Sequence, residues 1–443
     1  MYIPHIENAF LNVKSACEAQ LNKLYPAGIP DVAAERLAKE LSFLQAQGLY
    51  SQDKFEIYRL LCEEAKRSMQ YISFESYNAS SFILYLLSGS LTNPLPAHYY
   101  CSHCGYYESV PTRLFGIDLP QRNCPHCNHS LQSDGFHIPT ESFWDITGGR
   151  LADFHAHTTS DFISFARRVL ERLFPNNNIV PMGTMTLPPY TQKVTVLNSG
   201  FYILEEGRTM DDFPQLLSYL EDGTPCLCED WNYCDLYRIT LIPDEKIEFL
   251  TQLQQKTGLY VYDISLRDLS SYGWYDIKHT GMLEDIAVEL LHTSNPKTYT
   301  DLVSAIAFEH STYRPVAELE VATLENDCSK NYLKIKESKY PFFSREDFYE
   351  LVQSFESDSI TAFRVSESVR KGLLYNSYRK PNINIKYEKQ LAELPEGLYN
   401  IAINYRYLPS RAQIVEKVLN YAKLAFYLKN DSKIYGKIVF QHR

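Results

Sequence analysis

"CSHCGYYESVPTRLFGIDLPQRNCPHC", residues 101–127, holds Cys101 and Cys104 in one CxxC and Cys124 and Cys127 in another. Each CxxC makes a tight knuckle that turns two thiolates toward one point. Two knuckles complete the tetrahedral four-sulfur shell that Zn²⁺ prefers. Gly105 and Pro125 suit the knuckle turns. A closed shell of four sulfurs leaves no open coordination position, so the zinc is expected to be structural rather than catalytic.

The rest of the composition agrees with thiols that stay reduced. The chain has 443 residues, 45% of them hydrophobic, which is enough for two or three domains with a sizeable core. No stretch approaches the roughly 20 apolar residues needed to span a bilayer. "MYIPHIENAF" at the start lacks the basic and apolar regions of a secretory signal. A cytoplasmic protein with no membrane partner is expected, and disulfides are disfavoured there. The remaining cysteines, Cys17, Cys62, Cys226, Cys228, Cys234 and Cys328, read as scattered core residues. With 43 Lys+Arg against 54 Asp+Glu, the net charge is −11. That balance argues against a strong autonomous nucleic-acid binder, whose affinity comes largely from phosphate contacts.

Outward from the module, the pattern is mixed α/β. Residues 31–70 carry apolar positions at helical spacing, with Asp31 as an expected N-cap. "SSFILYLLSGS" (80–90) reads as a short apolar helix, and "FISFARRVLERLF" (162–174) as an amphipathic one ended by "PNNN". Residues 190–245 look like short strands and turns, among them "KVTVLNSGFYIL" and "YRITLI". From 244 onward helices dominate. The expected division is a helical region over 1–91, the cysteine module over 92–145, a sheet-bearing region over 146–245 and a helical region over 246–443.

Just past the module, "LADFHAHTTSDF" (151–162) gathers the metal-ligand types Asp153, His155, His157 and Asp161. On a strand, His155 and His157 face the same side and could share a metal with Asp153.

The phrases "NPLPAHYYCSHC", "FGIDLPQRNCPHC" and "DGFHIPTESF" together resemble the C-family replicative DNA polymerases, the DNA polymerase III alpha subunits of PolC type. Weaker likeness of pattern and order extends over about residues 31–430, through "AAERLAKELSFLQAQG", "ITLIPDEKIEFLTQLQQKTGL", "TYTDLVSAIAFEHST" and "YLPSRAQIVEKVLNYAKLAFYLK". The resemblance implies a nucleotidyltransferase-like palm with thumb-like and fingers-like helical parts. It also implies chemistry by three carboxylates holding two Mg²⁺.

The residues depart from that chemistry. The family's first motif, Pro-Asp-Ile-Asp-Leu-Asn-Phe, aligns with "ADFHAHT", so Asp153 keeps the first aspartate and His155 replaces the second. The third aspartate aligns with Thr240, and the lysine beside it survives as a cation, Arg238. The family's glycine-rich nucleotide loop aligns with "SFESYNASSF": Ser73, Ser76 and Ala79 stand at glycines, and Glu75 at an arginine. Its Phe-Pro-Lys-Ala-His reads "LPSRA", with Ser410 and Ala412 at the lysine and histidine. One carboxylate cannot balance two Mg²⁺ and a triphosphate, so Mg²⁺ is not expected as a cofactor. The chain is therefore expected to be a pseudo-polymerase with no catalytic residues, binding or regulating a replication-associated partner, as a mobile-element or phage accessory protein would.

Three alternatives stay open at this point. A DNA-binding module could keep the polymerase groove through Arg113, Arg122, Arg167, Arg168, Arg370, Lys371 and Arg411. "DFHAHTTSDF" also resembles the first metal motif of polymerase-and-histidinol-phosphatase phosphoesterases, implying metal-dependent hydrolysis. Against that, His279, His292 and His310 lie without a partner motif. Finally, a surviving aspartate such as Asp235 or Asp244 would restore a polymerase.

Overall fold

The computed structural model describes residues 2–144, 153–186, 195–228, 236–313, 328–355, 358–375, 391 and 393–442. The class is the expected mixed α/β. Helices α1 (Ala9–Leu24), α2 (Asp31–Ala46), α3 (Leu49–Arg67) and α4 (Phe82–Ser88) open the chain. The cysteine module follows on strands β1 (His98–Tyr100), β2 (Tyr107–Ser109) and β3 (Gln132–Asp134), with β1 antiparallel to both others. The larger sheet holds β4 (His155–Thr158), β5 (Ile179–Thr186), β6 (Thr195–Ile203), β7 (Leu217–Tyr219), β8 (Pro225–Cys228) and β9 (Tyr237–Pro243). Its order is β4-β9-β6-β5-β8-β7. The sheet is mixed: β4–β9 and β5–β8 run parallel, the other neighbours antiparallel. Helix α5 (Phe162–Leu173) lies between β4 and β5, and α6 (Glu245–Thr257) follows β9 directly.

Two helix expectations change in detail. Residues 31–70 are not one run but α2 and α3, broken at Gly48, which takes φ +73. Asp31 is the first helical residue, because Pro30 holds the extended conformation (φ −66, ψ 142) of the capping position. Helix α1 went unread in the sequence. It buries Val13, Cys17 and Leu21 against the same core as the sheet.

That core joins α1–α5 to β4, β6 and β9. Its centre is Phe154, fully buried among rings. Phe55 lies edge-on at 4.8 Å, Tyr58 tilted at 4.8 Å, and Phe143 stacked at 6.0 Å between centroids. A second core packs the C-terminal helices around Arg411–Asn430, whose Ala412, Val415, Val418, Leu419 and Ala422 are buried. Within β6, the stretch "LNSGF" (197–201) has a positional reason for its glycine. Gly200 takes φ +126, and a Cβ there would lie 2.0 Å from the Ile239 carbonyl oxygen. Only glycine lets β6 come this close to β9.

The ring cluster gives the first expected outcome. Phe154→Ala should cost about 3–5 kcal/mol of stability, since the packed rings cannot collapse into the space left. Denaturant titration of both proteins measures this.

Candidate functional site

The parallel register of β4 and β9 decides the geometry of the site. His155 pairs with Thr240 and His157 with Ile242. His155 and Thr240 are therefore cross-strand neighbours. Asp153 lies two residues before His155 and Arg238 two before Thr240, so the pairing sets them side by side. Asp153 Oδ2 accepts from Arg238 Nε at 3.0 Å and also from Nη2. From α3, the fully buried Lys54 brings its Nζ to 3.8 Å from Oδ1. Lys54 also donates to the Arg238 carbonyl and lies 4.4 Å from the Tyr237 ring centroid.

Burial alone would raise the pKa of Asp153, but Lys54 and Arg238 outweigh it and hold the carboxyl below its ordinary value. Burial brings Lys54 down to about 8, with Asp153 opposing the fall. Burial likewise lowers His155, although Asp153 pulls the other way.

The stretch from Ser73 to Asn78 clamps this strand. Asn78 Nδ2 donates to the Asp153 carbonyl (2.6 Å), and Asn78 Oδ1 accepts from the His155 N–H (3.0 Å). The Tyr77 hydroxyl donates to the same Asp153 carbonyl at 2.9 Å. Ser73 forms a two-way backbone bridge with His157, at 3.0 and 2.7 Å. Glu75 sits 2.6 Å from Lys246 and accepts from Asn420. At the start of α4, the free N–H groups that would attract an anion are already taken. Buried Glu40 accepts from Phe82 N (3.0 Å) and Ile83 N (3.2 Å), and is held by Arg36 at 2.7 Å.

His157 turns away from Asp153. Its Nδ1 lies 2.9 Å from Asp244 Oδ2, and Asp244 Oδ1 caps α6 through Lys246 N and Ile247 N. Burial would raise Asp244, but the His157 bond and Lys246 carry it well below the usual carboxylate range. Asp153 and His157 stand about 13 Å apart along the strand. Asp153 and His155 come together, with Nε2 4.0 Å from Oδ2, while His157 pairs with Asp244 instead, so the three do not converge on one ion. Asp235 lies outside the described residues. A cleft of about 500 Å³ opens beside Asp244, lined by Glu75, Glu284, His310, Lys246 and Lys417 among others. Glu75, Asp244, Glu245 and Glu284 outnumber Lys246 and Lys417 there, which leaves no excess of positive charge for a triphosphate.

The cysteines do converge. The four ligand atoms of Cys101, Cys104, Cys124 and Cys127 lie within 4.8 Å of one another. Cys101 and Cys127 sulfurs are 3.4 Å apart, and Cys104 and Cys124 sulfurs 3.5 Å. A disulfide would need about 2.05 Å. A zinc tetrahedron with bonds of about 2.3 Å has edges near 3.8 Å. The cluster can hold a metal ion, and its donor set suits zinc. Gly105 (φ +74) and Asn128 (φ 60) make the knuckle turns, closed by Gly105 N to Cys101 O and Asn128 N to Cys124 O, both at 2.9 Å. Burial pushes the Cys101 thiol up, but the N–H groups of Cys104 and His103 bring it down to about 6.

The basic residues do not line one groove. Arg411 is buried, paired with Asp347 at 2.7 Å and Glu350 at 2.8 Å, and donates to the His137 carbonyl. It therefore does not face solvent as a DNA contact would. Arg370 is paired with Glu367 at 2.7 Å, and Lys371 is more exposed, 3.8 Å from the same carboxylate. On the solvent face of α5, Arg167 pairs with Glu171 and Arg168 lies over Phe165. Arg122 pairs with Glu108 and stacks on Tyr99, while Arg113 is exposed at the rim of another cleft.

No family model matches the chain. Curated proteins do. A protein of Thermotoga maritima is 22% identical across 96% of this chain. Two others, from Oceanobacillus iheyensis and Bacillus subtilis, are each 28% identical over 42% of it. All three carry one name. The similarity is to DNA polymerase III of PolC type. The chain spans 34% of the length of the Thermotoga relative and 13% of the other two. The PolC-type resemblance read from the module phrases is thus supported over nearly the whole chain.

Sequence reasoning did not find Lys54, Glu40 or the His157–Asp244 pair. No spacing marks them, since each meets its partner across 40 or more residues.

Asp153 has a lowered pKa, so its contribution to stability is complete above the ordinary aspartate value of about 3.9 and is lost as pH falls through the folded value. Asp153→Asn should flatten the acid limb of the stability curve. It should also destabilise at pH 7 by about 3–5 kcal/mol, because Lys54 then stays buried without its counter-charge. Chemical denaturation from pH 2 to 7 reads both effects.

Proposed function

We propose that this chain is a catalytically inactive relative of the PolC-type polymerase core, acting in DNA replication as a binding or regulatory protein. The observation that carries the reading is the Asp153 carboxylate bound by Arg238 and Lys54. Cations from the chain itself stand where two metal ions would be needed to bridge a triphosphate and activate a primer hydroxyl. A metal ion would have to displace a guanidinium and face a buried ammonium. Thr240 and His155 offer no further negative charge beside it. Glu40 at the start of α4 and Glu75 in the loop add anions along the side where phosphates would approach. The fold-forming parts are intact: the sheet register, the ring cluster and the cysteine module. A scaffold kept while its chemistry is disabled suits a role in contact with replication proteins or with DNA. The four cysteines hold one structural zinc in this reading, fixing β1–β3 to the helices on both sides.

Primer extension tests the main claim. No nucleotide should be incorporated on a primed template with Mg²⁺ or Mn²⁺, and metal-dependent extension abolished by Asp153→Ala would overturn it. Zinc is tested separately. Protein purified without added metal should carry about one Zn per chain by elemental analysis. A strong chelator should release it together with loss of ordered structure in residues 97–134, read by hydrogen exchange.

A further inference from the structure

The tip of the cysteine module carries a second group of donors that the four-sulfur site does not use. His103, Cys127 and His129 each offer one ligand atom, and these lie within 4.8 Å of one another. His103 sits inside the first knuckle and His129 two residues past the second, so folding the knuckles together brings the rings face to face. Their centroids are 3.9 Å apart and their planes 10° from parallel. Both side chains are exposed, and Cys127 is half-buried between them and the interior. No hydrogen bond or ion pair among the described residues takes up the His103 ring nitrogens.

We propose that a second zinc ion binds on the outer face of the module, held by His103, His129 and the Cys127 sulfur, with its fourth position open to solvent. The inference rests on the four-cysteine zinc reading. Four thiolates around one Zn²⁺ leave a net charge of −2, and a second divalent cation with two neutral imidazoles neutralises it. A thiolate has lone pairs to spare beyond one metal bond, so Cys127 can bridge the two ions. The tautomer is already arranged. His129 Nδ1 lies 3.1 Å from the Cys127 carbonyl oxygen, so the Nδ1–H donates there and Nε2 keeps its lone pair for a metal. Imidazole and thiolate together suit zinc among the common divalent ions. A tetrahedral site needs donor spacings of about 3.3–3.8 Å for bonds of about 2.0–2.3 Å. Rotation of two exposed rings closes the remaining gap. Three protein donors and one open position make this ion exchangeable, unlike the enclosed one.

The test counts zinc on the full chain, loaded with excess zinc chloride and dialysed against buffer that holds free zinc at a micromolar level. Wild type should hold two Zn per chain, and the double variant His103→Ala/His129→Ala one. The ion retained by the variant reports that the module is still folded. A count of one in wild type overturns the second site while leaving the first in place. A count of two in the variant overturns it as well, placing the extra ion elsewhere. A variant holding none would instead remove the four-cysteine reading on which the proposal stands.

Discussion

An ionised carboxylate inside a protein needs positive charge beside it, and at Asp153 that charge comes from the chain itself. The cost of burying Asp153, Arg238 and Lys54 is offset only if all three stay together. Three elements are thereby tied at one point. The loop before β4 brings the carboxylate, β9 the guanidinium and α3 the ammonium. Tyr58, one helical turn after Lys54, reinforces the joint. Its hydroxyl accepts from Thr240 N at 2.9 Å and lies within 3.1 Å of the Phe154 and Thr240 carbonyls. The parallel pairing of β4 with β9, the seating of α3 and the burial of Phe154 all follow from this arrangement.

The cysteine module plays the corresponding part at the other side of the chain. Its Asp118 accepts from Tyr299 N at 2.6 Å and Thr300 N at 2.8 Å, capping the start of helix Tyr299–His310. Gly105 approaches the Ala27 carbonyl so closely that a Cβ there would lie 2.5 Å from it. Arg411 reaches the His137 carbonyl just past β3. The module is therefore a junction between the N-terminal helices and the C-terminal ones. Disrupting it would loosen contacts well beyond residues 101–127.

The stretch 73–78 ties β4 to its surroundings. Ser73, Tyr77 and Asn78 turn their polar groups onto β4 and the residue just before Phe154. Glu75 then finds Lys246 on α6, and Ser73 donates to Glu416 on the long C-terminal helix at 3.1 Å. Each of these polar groups meets another part of the chain, so the network is satisfied within the molecule.

Much of the fold was legible in order: helices over 31–67, 82–88 and 162–173, strands at 195–203 and 237–243, and helices beyond 245. Local patterns of spacing and capping carry that information. Helix α1 was missed, and α2 and α3 were run together across Gly48. The four cysteines were legible as a site because knuckle spacing is itself the geometry of a tetrahedral ion. That His155 and Thr240 carry no carboxylate could also be read, since a residue type is a local fact. What surrounds them could not. That Lys54 would face Asp153, that Glu40 would cap α4, that His157 would turn to Asp244 and that Arg411 would be buried depend on pairings across 40 to 100 residues or more. Sequence determined which ionisable and metal-binding groups this chain carries and their order. Only the tertiary structure decided which charges now compensate those that remain, because charge neutrality in the interior is settled by proximity in space and not by neighbourhood along the chain.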